Sequence, residues 1–499
     1  MRKLLVLLGI FIFVLFSLSY AQEVTLYGYS EIGVKSEFLK DANGNYTNTL
    51  GPVTLQYWNT YFKIKAEPSS WLESYFELKM YPSYLNNYSF TYTWKDDSGN
   101  THTDTFSVNV FYPGIEIQKA HLTAKSSLLN VRVYYKEDAT PFDDPLQLNK
   151  PGDLPGSSWI WGNGIELSGK VFDTNFLAGI NSSDQISYLR LKRALQPLTV
   201  GFTAMGTNWG EANKGKSLFA VDATGKVGPV DLKAEGIYGK CVWGPNPEDS
   251  EGGMVLYADL SSQVTPMVKV YGTAKKVDLG YMHQFNWFKT DQTQLIPGTS
   301  GSAGTYLKVG AVVTPLSNLS VEPIVELINR EDTTEKTTKL TGIVTFNPTK
   351  QVSLKGTLVN SKVNDNEPST NITGEVTVTP ASNVTLYGKV YYPFGGKPSL
   401  YGNATVTPLT NLTLYGAVSA DLSGSTTWVF LKPSYKLAKD VTLTGIYQLK
   451  KIGDTETHTT YYADLTFNNA TIYFGSAPSE EGATQDFVKQ IGARISFDF

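Results

Sequence analysis

The sequence predicts an all-β chain folded as a closed antiparallel sheet, and three observations lead to that prediction. A short block recurs: TPLTNLTLYG (407–416) has near relatives in TPLSNLSV (314–321) and TPASNVTLYG (379–388). Around these blocks, apolar and polar residues alternate with a period of two, which is the spacing of a strand with two different faces. No long segment has apolar residues at the i, i+3, i+4 and i+7 spacing of an amphipathic helix.

The recurring block belongs to a longer repeat with a period near 30 residues. A polar anchor residue precedes each apolar-polar-apolar start, and successive anchors lie 33, 32, 28, 29 and 29 residues apart. The anchors are Asn318, Gln351, Asn383, Asn411, Asp440 and Asn469. Each unit has an alternating run, a turn-rich patch and a second alternating run, and Pro408 after the second run favours a turn. Each unit is therefore predicted to be a β-hairpin.

Weaker copies of this pattern extend through the N-terminal half, with starts near Val24, Asn130, Pro229 and Val268. Together the copies predict about 13 hairpins, or about 26 strands, within a range of roughly 22 to 26. Tight Thr-Pro-x-x-Asn turns are expected at one end of the sheet. Longer irregular stretches are expected at the other end: 36–50, 82–113, 138–157, 241–251 and 288–302.

One face of the predicted strands is apolar and the other carries charge. In one hairpin, for example, Val352 and Leu354 alternate with Ser353 and Lys355. A soluble sandwich would bury the apolar face between two sheets, whereas a membrane barrel turns that face to lipid. Strands of about ten residues suit a tilted membrane strand, and a sheet in hydrocarbon must close because unpaired backbone groups are costly there. We therefore predict a closed antiparallel transmembrane β-barrel.

The N-terminus is typical of a cleaved signal peptide. Arg2 and Lys3 precede an apolar run, 4–18, that is too short to span a bilayer, and Ser19-Tyr20-Ala21 supplies a small-residue cleavage site. The predicted organisation is a signal peptide, 1–21, followed by a single barrel domain, 22–499. Without the signal peptide, 40 basic residues face 46 acidic ones, a balance that argues against nucleic acid as a partner.

The last strand, FVKQIGARISFDF (487–499), resembles the C-terminal assembly signal of bacterial outer-membrane barrel proteins. Its apolar face ends in Ile495, Phe497 and Phe499, which we identify with that signal. In pattern, the whole mature chain resembles Gram-negative porin-type proteins. The resemblance implies location in the bacterial outer membrane, with membrane lipid and the barrel-assembly machinery as partners.

Charged residues of the polar face are predicted to line the pore, because a Lys or Arg facing lipid at the membrane midplane would cost roughly 2–4 kcal/mol. The predicted pore-lining residues are Glu73, Glu77, Arg132, Lys136, Arg190, Lys192, Asp231, Lys233, Glu235, Lys269, Glu322, Glu326, Lys355, Glu375, Lys389 and Arg494.

An acidic, proline-rich stretch, 137–153, is the third predicted external loop and contains Asp138, Asp143, Asp144 and Asp153. In general porins, the third loop folds inward and narrows the pore. The resemblance implies a constriction in which this acidic loop faces Arg132, Lys136, Arg190 and Lys192 of the wall, since opposed charges set ion preference. The alternative is an exposed loop that does not reach the pore.

Four tyrosines, Tyr27, Tyr271, Tyr387 and Tyr415, lie at the same height, four residues past a turn anchor. Their rings could stiffen the wall by packing over neighbouring glycines, form an interfacial girdle, or bind sugar rings. We favour packing over glycines, and the sequence does not select sugar binding.

No catalytic or metal-binding motif is found: the four histidines lack i, i+3 or i, i+4 partners, and Cys241 is the sole cysteine. We expect no enzyme activity, no cofactor and no metal. The expected function is a porin-like channel for passive diffusion of ions and small hydrophilic solutes, with a slight cation preference. A substrate-selective channel and a structural or adhesive envelope protein remain alternatives, and the oligomeric state stays open.

Overall fold

The computed structural model describes residues 23–95, 101–149, 160–183, 185–207, 215–244, 250–281, 296, 303–424, 426–453, 456–484 and 487–498. The predicted signal peptide, 1–21, lies outside these ranges. The described chain is almost entirely β-structure. Among these residues, no helix has the length and apolar character that crossing a membrane requires.

Twenty-seven strands follow one another along the chain. The first nine are β1 (Glu23–Lys40), β2 (Tyr46–Leu50), β3 (Thr54–Ser69), β4 (Leu72–Lys95), β5 (Thr101–Lys125), β6 (Leu129–Asp138), β7 (Trp161–Val171), β8 (Thr174–Asn181) and β9 (Ile186–Leu195). The next nine are β10 (Leu198–Thr207), β11 (Gly215–Val227), β12 (Val230–Val242), β13 (Ser250–Thr265), β14 (Val268–Val277), β15 (Gly304–Leu316), β16 (Leu319–Arg330), β17 (Lys336–Thr349) and β18 (Val352–Val363). The last nine are β19 (Ser369–Ala381), β20 (Val384–Pro393), β21 (Ser399–Leu409), β22 (Leu412–Asp421), β23 (Thr426–Ala438), β24 (Val441–Ile452), β25 (Glu456–Phe467), β26 (Ala470–Gly475) and β27 (Gln490–Asp498).

The strands form one closed antiparallel barrel. From β3 onward each strand pairs with the next, and β27 pairs with β1 from Tyr29↔Asp498 to Glu37↔Gln490. β1 pairs directly with β3, because β2 only extends the end of β1, with Phe38 opposite Leu50. The ring therefore contains 26 strands, which confirms the predicted fold and strand number. Closure leaves no unpaired sheet edge, as a sheet in hydrocarbon requires.

The repeat anchors link each hairpin to the next. The backbone carbonyl of Asn383, at the turn before β20, accepts a hydrogen bond of 2.8 Å from the N–H of Thr407 at the end of β21. The other anchors do the same: the carbonyls of Asn318, Gln351, Asn411, Asp440 and Asn469 accept from the N–H groups of Asn347, Thr379, Lys436, Asn468 and Ser496. The repeat thus satisfies a backbone acceptor where the regular ladder ends.

The two ends of the barrel differ in their connections, as predicted. At one end, eleven of the twelve turns between strands have two residues, and the β5–β6 turn has three. Connections at the other end are mostly longer. The predicted loop 36–50 is strand at both ends, whereas most of 288–302 lies outside the described residues. The prediction of an irregular loop over 82–113 was wrong in kind. β4 and β5 continue through this stretch as a paired ribbon, with Tyr92 opposite Asp104, because alternating tyrosine and threonine favour strands.

The outer face of the barrel is apolar and exposed. Leu354 of β18 lies opposite Val376 of β19, and Ile32 of β1 lies opposite Ile495 of β27. All four side chains are on the outside, and the first two are 39% and 37% exposed. A soluble sandwich would bury such a face, so lipid is the solvent that this surface fits.

The buried core lies inside the lumen, which the sequence did not predict. Near the long-loop end, the inward face of β6 to β16 becomes apolar and packs against the described residues of two loops, 139–149 with 160, and 278–281 with 296 and 303. The wall contributes Tyr134, Ile186, Tyr188, Met205, Leu218, Ala220, Ile237, Val255, Val277 and Tyr306, and the two loops contribute Ala139, Phe142, Leu148, Ile160, Tyr281, Ile296 and Ala303. Wall positions lose their polar character where a loop, rather than water, covers them.

Candidate functional site in the barrel lumen

Fifteen of the sixteen predicted pore-lining residues lie on one face of the barrel wall, and Lys136 lies at a register shift of β6. Directly opposed residues of neighbouring strands share a face, so the register transfers the assignment from strand to strand. For example, Arg132 lies opposite Glu166, Asp222 opposite Glu235, and Lys355 opposite Glu375. Contacts with loops that enter the barrel identify this face as the lumenal one.

Charges of opposite sign on this face pair across strands. Glu73 accepts a hydrogen bond of 2.5 Å from Lys125, and Lys339 lies 2.9 Å from Glu326. Lys136, at an irregularity of β6, contacts Glu116. The wall is therefore mixed in sign, without a broad field of one charge.

The loop between β6 and β7, residues 139–160, is called the inward loop below. Its tip contacts the wall through Asp143, which accepts hydrogen bonds from Lys192 and, at 3.4 Å, from Arg190. Arg190 is itself paired with Asp222 of β11, with a second contact at 3.1 Å. The acidic loop thus lies against two of the four basic residues that the sequence placed opposite it.

The other two basic residues have different partners. Arg132 donates to Glu166 at 2.8 Å and to Glu137 at 2.5 Å. Glu166 also anchors the inward loop, accepting from the backbone N–H and the hydroxyl of Thr140 at 2.7 and 2.8 Å. Asp138 belongs to β6, and Asp153 lies outside the described residues. Arg132 is therefore linked to the described part of the inward loop through Glu166.

A second acidic contact joins the inward loop to β12. Asp144 accepts from the N–H of Leu148 at 2.9 Å, and Glu235 accepts from the N–H of Leu146 at 2.8 Å. The remaining oxygens, Asp144 Oδ1 and Glu235 Oε1, are buried and have no hydrogen-bond partner among the described residues. Burial raises the pKa of the Asp144 carboxyl, although the Leu148 N–H and the Arg190 charge act in the opposite direction.

Asp143 titrates in the opposite sense, one residue away. Burial raises the pKa of its carboxyl, but the hydrogen bond and charge of Lys192, together with Arg190, outweigh burial and lower the pKa below its usual range. The loop tip therefore presents one anionic carboxylate to the basic wall and one carboxyl that favours the protonated form beside Glu235.

Apolar contacts hold the other described residues of the inward loop in place. The Phe142 ring lies 5.6 Å from the Tyr188 ring, and Leu148 and Ile160 are fully buried. Asn149, also fully buried, bridges the loop by donating to the carbonyl of Thr140 at 3.1 Å and accepting from the N–H of Ile160 at 3.3 Å. The described part of this loop is a packed element inside the barrel.

A second loop, 476–489 between β26 and β27, also enters the lumen, and it is called the C-terminal loop below. Its tip, 481–484, contacts β21 to β24. Glu481 accepts hydrogen bonds from the hydroxyls of Tyr415 and Tyr401 at 2.6 and 3.2 Å. Lys450 donates to the carbonyl of Gly482 and to the hydroxyl of Thr484, both at 2.7 Å.

The side-chain amide of Gln448 clamps the same tip. It accepts from the N–H of Gly482 at 2.8 Å and donates to the carbonyl of Ala483 at 2.9 Å. A Cβ atom on Gly482 would lie 2.6 Å from the indole nitrogen of Trp428, so only glycine passes this close to the ring. The sequence prediction missed this site, because its wall residues alternate like any lumenal residues and nothing in the repeat marks Glu481.

Three of the four tyrosines at equal height divide between two roles, while the Tyr27 ring lies 5.9 Å from the Lys63 ammonium. Tyr271 packs over Gly310, where an added Cβ would lie 2.5 Å from the ring, and donates to Glu322 at 2.5 Å. Tyr387 and Tyr415 instead contact other aromatic rings, Tyr401 at 6.0 Å and Phe430 at 6.1 Å. All lie on the lumenal face, so they do not form a girdle at the lipid interface.

The predicted assembly signal lies on the strand that closes the ring. Ile495 faces outward between Ile32 of β1 and Ala470 of β26, and the backbone of Phe497 pairs with that of Ser30. Phe499 lies outside the described residues. The role of these residues in assembly stays a prediction.

No protein-family model and no curated protein match the sequence. Similar solved structures include the E. coli P pilus tip assembly intermediate PapC-PapD-PapK-PapG, the P pilus usher PapC translocation pore and the ferric enterobactin receptor PfeA of Pseudomonas aeruginosa. Sequence identity is 9% in each case, and the TM-scores are 0.49, 0.37 and 0.37. The matches cover 96%, 95% and 95% of this chain.

The same matches cover 61%, 99% and 80% of the other chains, so this chain spans about three fifths of the length of the first. Likenesses this distant carry no information about activity, and the assignment depends on the barrel itself. A closed ring of 26 strands with an apolar outer face and a charged lumen identifies this chain as an outer-membrane β-barrel protein.

Proposed function

We propose that this protein is a diffusion channel of the outer membrane for ions and small hydrophilic solutes, narrowed by loops inside its lumen. The observation that carries the proposal is the contact of Asp143, on the inward loop, with Arg190 and Lys192 on the wall. Opposed charges at a narrow point are the arrangement by which pores select ions.

The size of the barrel explains why loops inside the lumen would be needed. Barrel diameter grows roughly linearly with strand number, and barrels of about 16–18 strands already leave an aqueous channel. A bare ring of 26 strands would be wider still. We infer that the inward loop and the C-terminal loop set the width of the pore, while the lumenal charges keep the rest of the lumen hydrated.

The mixed wall charges favour modest selectivity. The predicted chain without its signal peptide has more acidic than basic residues, and we propose a slight preference for cations. The proposal assigns no catalytic step to any residue and requires no cofactor. During insertion, the barrel-assembly machinery would recognise Ile495, Phe497 and Phe499.

A planar lipid bilayer tests the proposal directly. Detergent-purified, folded protein should give stepwise, long-lived currents, and a salt gradient should give a reversal potential on the cation side. Asp143→Asn should shift that potential toward anions, because it removes the negative charge facing Arg190 and Lys192. Asp173→Asn, at an exposed turn of the short-turn end, is the matched control and should leave the potential unchanged.

Absence of current from a verified folded barrel would contradict the proposal and favour a structural or adhesive protein anchored by its barrel. A reversal potential on the anion side would contradict only the predicted cation preference. The substrate-selective alternative has one observation in its favour, which is a row of lysine and aromatic side chains on β20 to β24.

A further inference from the structure

One row of lumenal side chains crosses five neighbouring strands in direct register. Lys389 of β20 lies opposite Tyr401 of β21, which lies opposite Ser419 of β22; Ser419 lies opposite Trp428 of β23, and Trp428 opposite Lys450 of β24. With about 4.8 Å between strands, the row spans roughly 19 Å. A cationic group stands at each end, and two aromatic rings and a hydroxyl lie between them.

A carboxylate already occupies part of this row. The Glu481 carboxylate of the C-terminal loop accepts hydrogen bonds from Tyr415 and Tyr401, one on each oxygen. Its side chain is exposed, so the carboxylate is held by hydrogen bonds and is not buried by packing. In chemical terms, Glu481 stands in for a carboxylate that arrives from solution.

The other half of the row borders an open cavity. A space of about 340 Å³ is lined by Tyr387, Lys389, Tyr391, Ser399, Leu400, Tyr401 and Ser419. Its size lies in the range of sites that hold small organic ligands. The acid of this wall that faces Lys389 directly is Glu375, which also accepts from Tyr387 at 3.0 Å and lies 3.4 Å from Lys355, so two lysines share its charge.

The two loops differ in how they are held. The inward loop contributes fully buried apolar side chains to the core. The described contacts of the 481–484 tip are mainly hydrogen bonds, which come from Tyr401, Tyr415, Gln448 and Lys450. Gly482 of this tip also lies against the Trp428 ring. A hydrogen-bonded tip exchanges more readily than a packed one, because a polar ligand offers the same bonds.

We propose that the Lys389–Lys450 row is a binding site for hydroxylated carboxylates such as sugar acids, whose carboxylate replaces that of Glu481. The inference rests on the proposed channel function and adds a substrate class to it. The carboxylate accepts from the Tyr401 and Tyr415 hydroxyls, and the hydroxylated body lies in the cavity beside Lys389. The C-terminal loop is then a tethered competitor that a solute must displace.

Calorimetric titration of D-glucuronate into the detergent-solubilised barrel tests the site, with D-glucose as the uncharged probe of similar shape. Glucuronate should bind more tightly than glucose. Tyr415→Phe should weaken the apparent glucuronate affinity about three- to fourfold, because the lost hydrogen bond costs the ligand about tenfold but also weakens the hold of the competing Glu481 carboxylate. Glu481→Ala should tighten it, by roughly fivefold, because the tethered competitor is gone.

Tyr271→Phe is the matched control, because it removes a lumenal tyrosine hydroxyl that donates to Glu322 on another part of the wall. It should leave glucuronate binding unchanged. Equal binding of glucuronate and glucose, or equal effects of Tyr415→Phe and Tyr271→Phe, would overturn the proposal.

Calorimetry needs no ion flow, so the site and the channel can fail separately. Glucuronate binding without bilayer current would leave the site intact and reject the channel. Current with no discrimination between the two sugars would support the channel and reject the site.

Discussion

Tyrosine rings that lie over glycines stiffen the lumenal wall at the level of single residues. A Cβ atom on Gly310 would lie 2.5 Å from the Tyr271 ring. We expect Gly310→Ala to displace the ring, break its bond to Glu322 and lower the free energy of unfolding by roughly 1–3 kcal/mol. Urea titration of the folded barrel measures this. Gly342→Ala, with no atom within 4 Å of the added Cβ, is the control. Equal losses in both variants would show that ring contact is not the cause.

The buried pair of Asp144 and Glu235 makes docking of the inward loop dependent on pH. Docking raises the pKa of the Asp144 carboxyl through burial, so docking is favoured when this carboxyl is protonated. The contribution of Asp144 to loop docking is complete at pH values below the ordinary Asp pKa of about 4. It falls by about 1.4 kcal/mol per pH unit as the pH rises from there toward the pKa of the docked carboxyl. Single-channel conductance should therefore rise, or become noisier, as pH increases.

The isosteric variant Asp144→Asn checks the origin of that effect. Its amide keeps an oxygen for the Leu148 N–H and supplies an N–H to the unpaired oxygen of Glu235, with no proton to lose. Its conductance should depend less on pH than that of the wild type. An unchanged pH profile would place the titrating group elsewhere.

At the scale of elements, the proposed constriction predicts that the inward loop limits how much of the lumen is open. Replacing 140–159 by a short Gly-Ser linker should raise the conductance severalfold, because it removes Phe142, Leu148 and the Asp143 contacts from the lumen. The barrel should still form, since the ring of strand pairs does not include these residues. Bilayer recording measures the current, and resistance to SDS without heating reports folding. Unchanged conductance in a folded variant would contradict the assigned constriction.

Strands and turns could be predicted from the sequence, while the position of the loops could not. Alternation and turn anchors are local signals, so the hairpins, the strand number and the lumenal face of residues such as Lys355 followed from neighbours in the chain. Glu481 reaches Tyr401, 80 residues earlier, and no period links two such positions. Ile237 breaks the charged alternation of β12 and marks where a loop covers the wall, a signal that the prediction did not use.

For the whole molecule, the unusual feature is that the apolar core lies inside the ring while another apolar surface lies outside it. The outer surface is stable only in lipid, and the inner core exists only where loops fold back. In the proposed channel, the barrel therefore separates two roles: strand pairing and lipid contact hold the ring, and the loops narrow the lumen. Changes on the two faces of one strand should accordingly have different consequences.

Leu358 and Thr357 are adjacent on β18 and occupy opposite faces. Leu358 faces outward and is 47% exposed, while Thr357 lies opposite Ile343 and Thr373 on the lumenal face. Near the middle of the strand, Leu358→Arg should lower the free energy of unfolding in lipid bilayers by roughly 2–4 kcal/mol. Thr357→Arg should lower the free energy of unfolding far less, because its charge would lie in the water of the lumen. It should also shift the reversal potential toward anions. Similar destabilisation by both variants would mean that β18 does not separate lipid from a wet lumen.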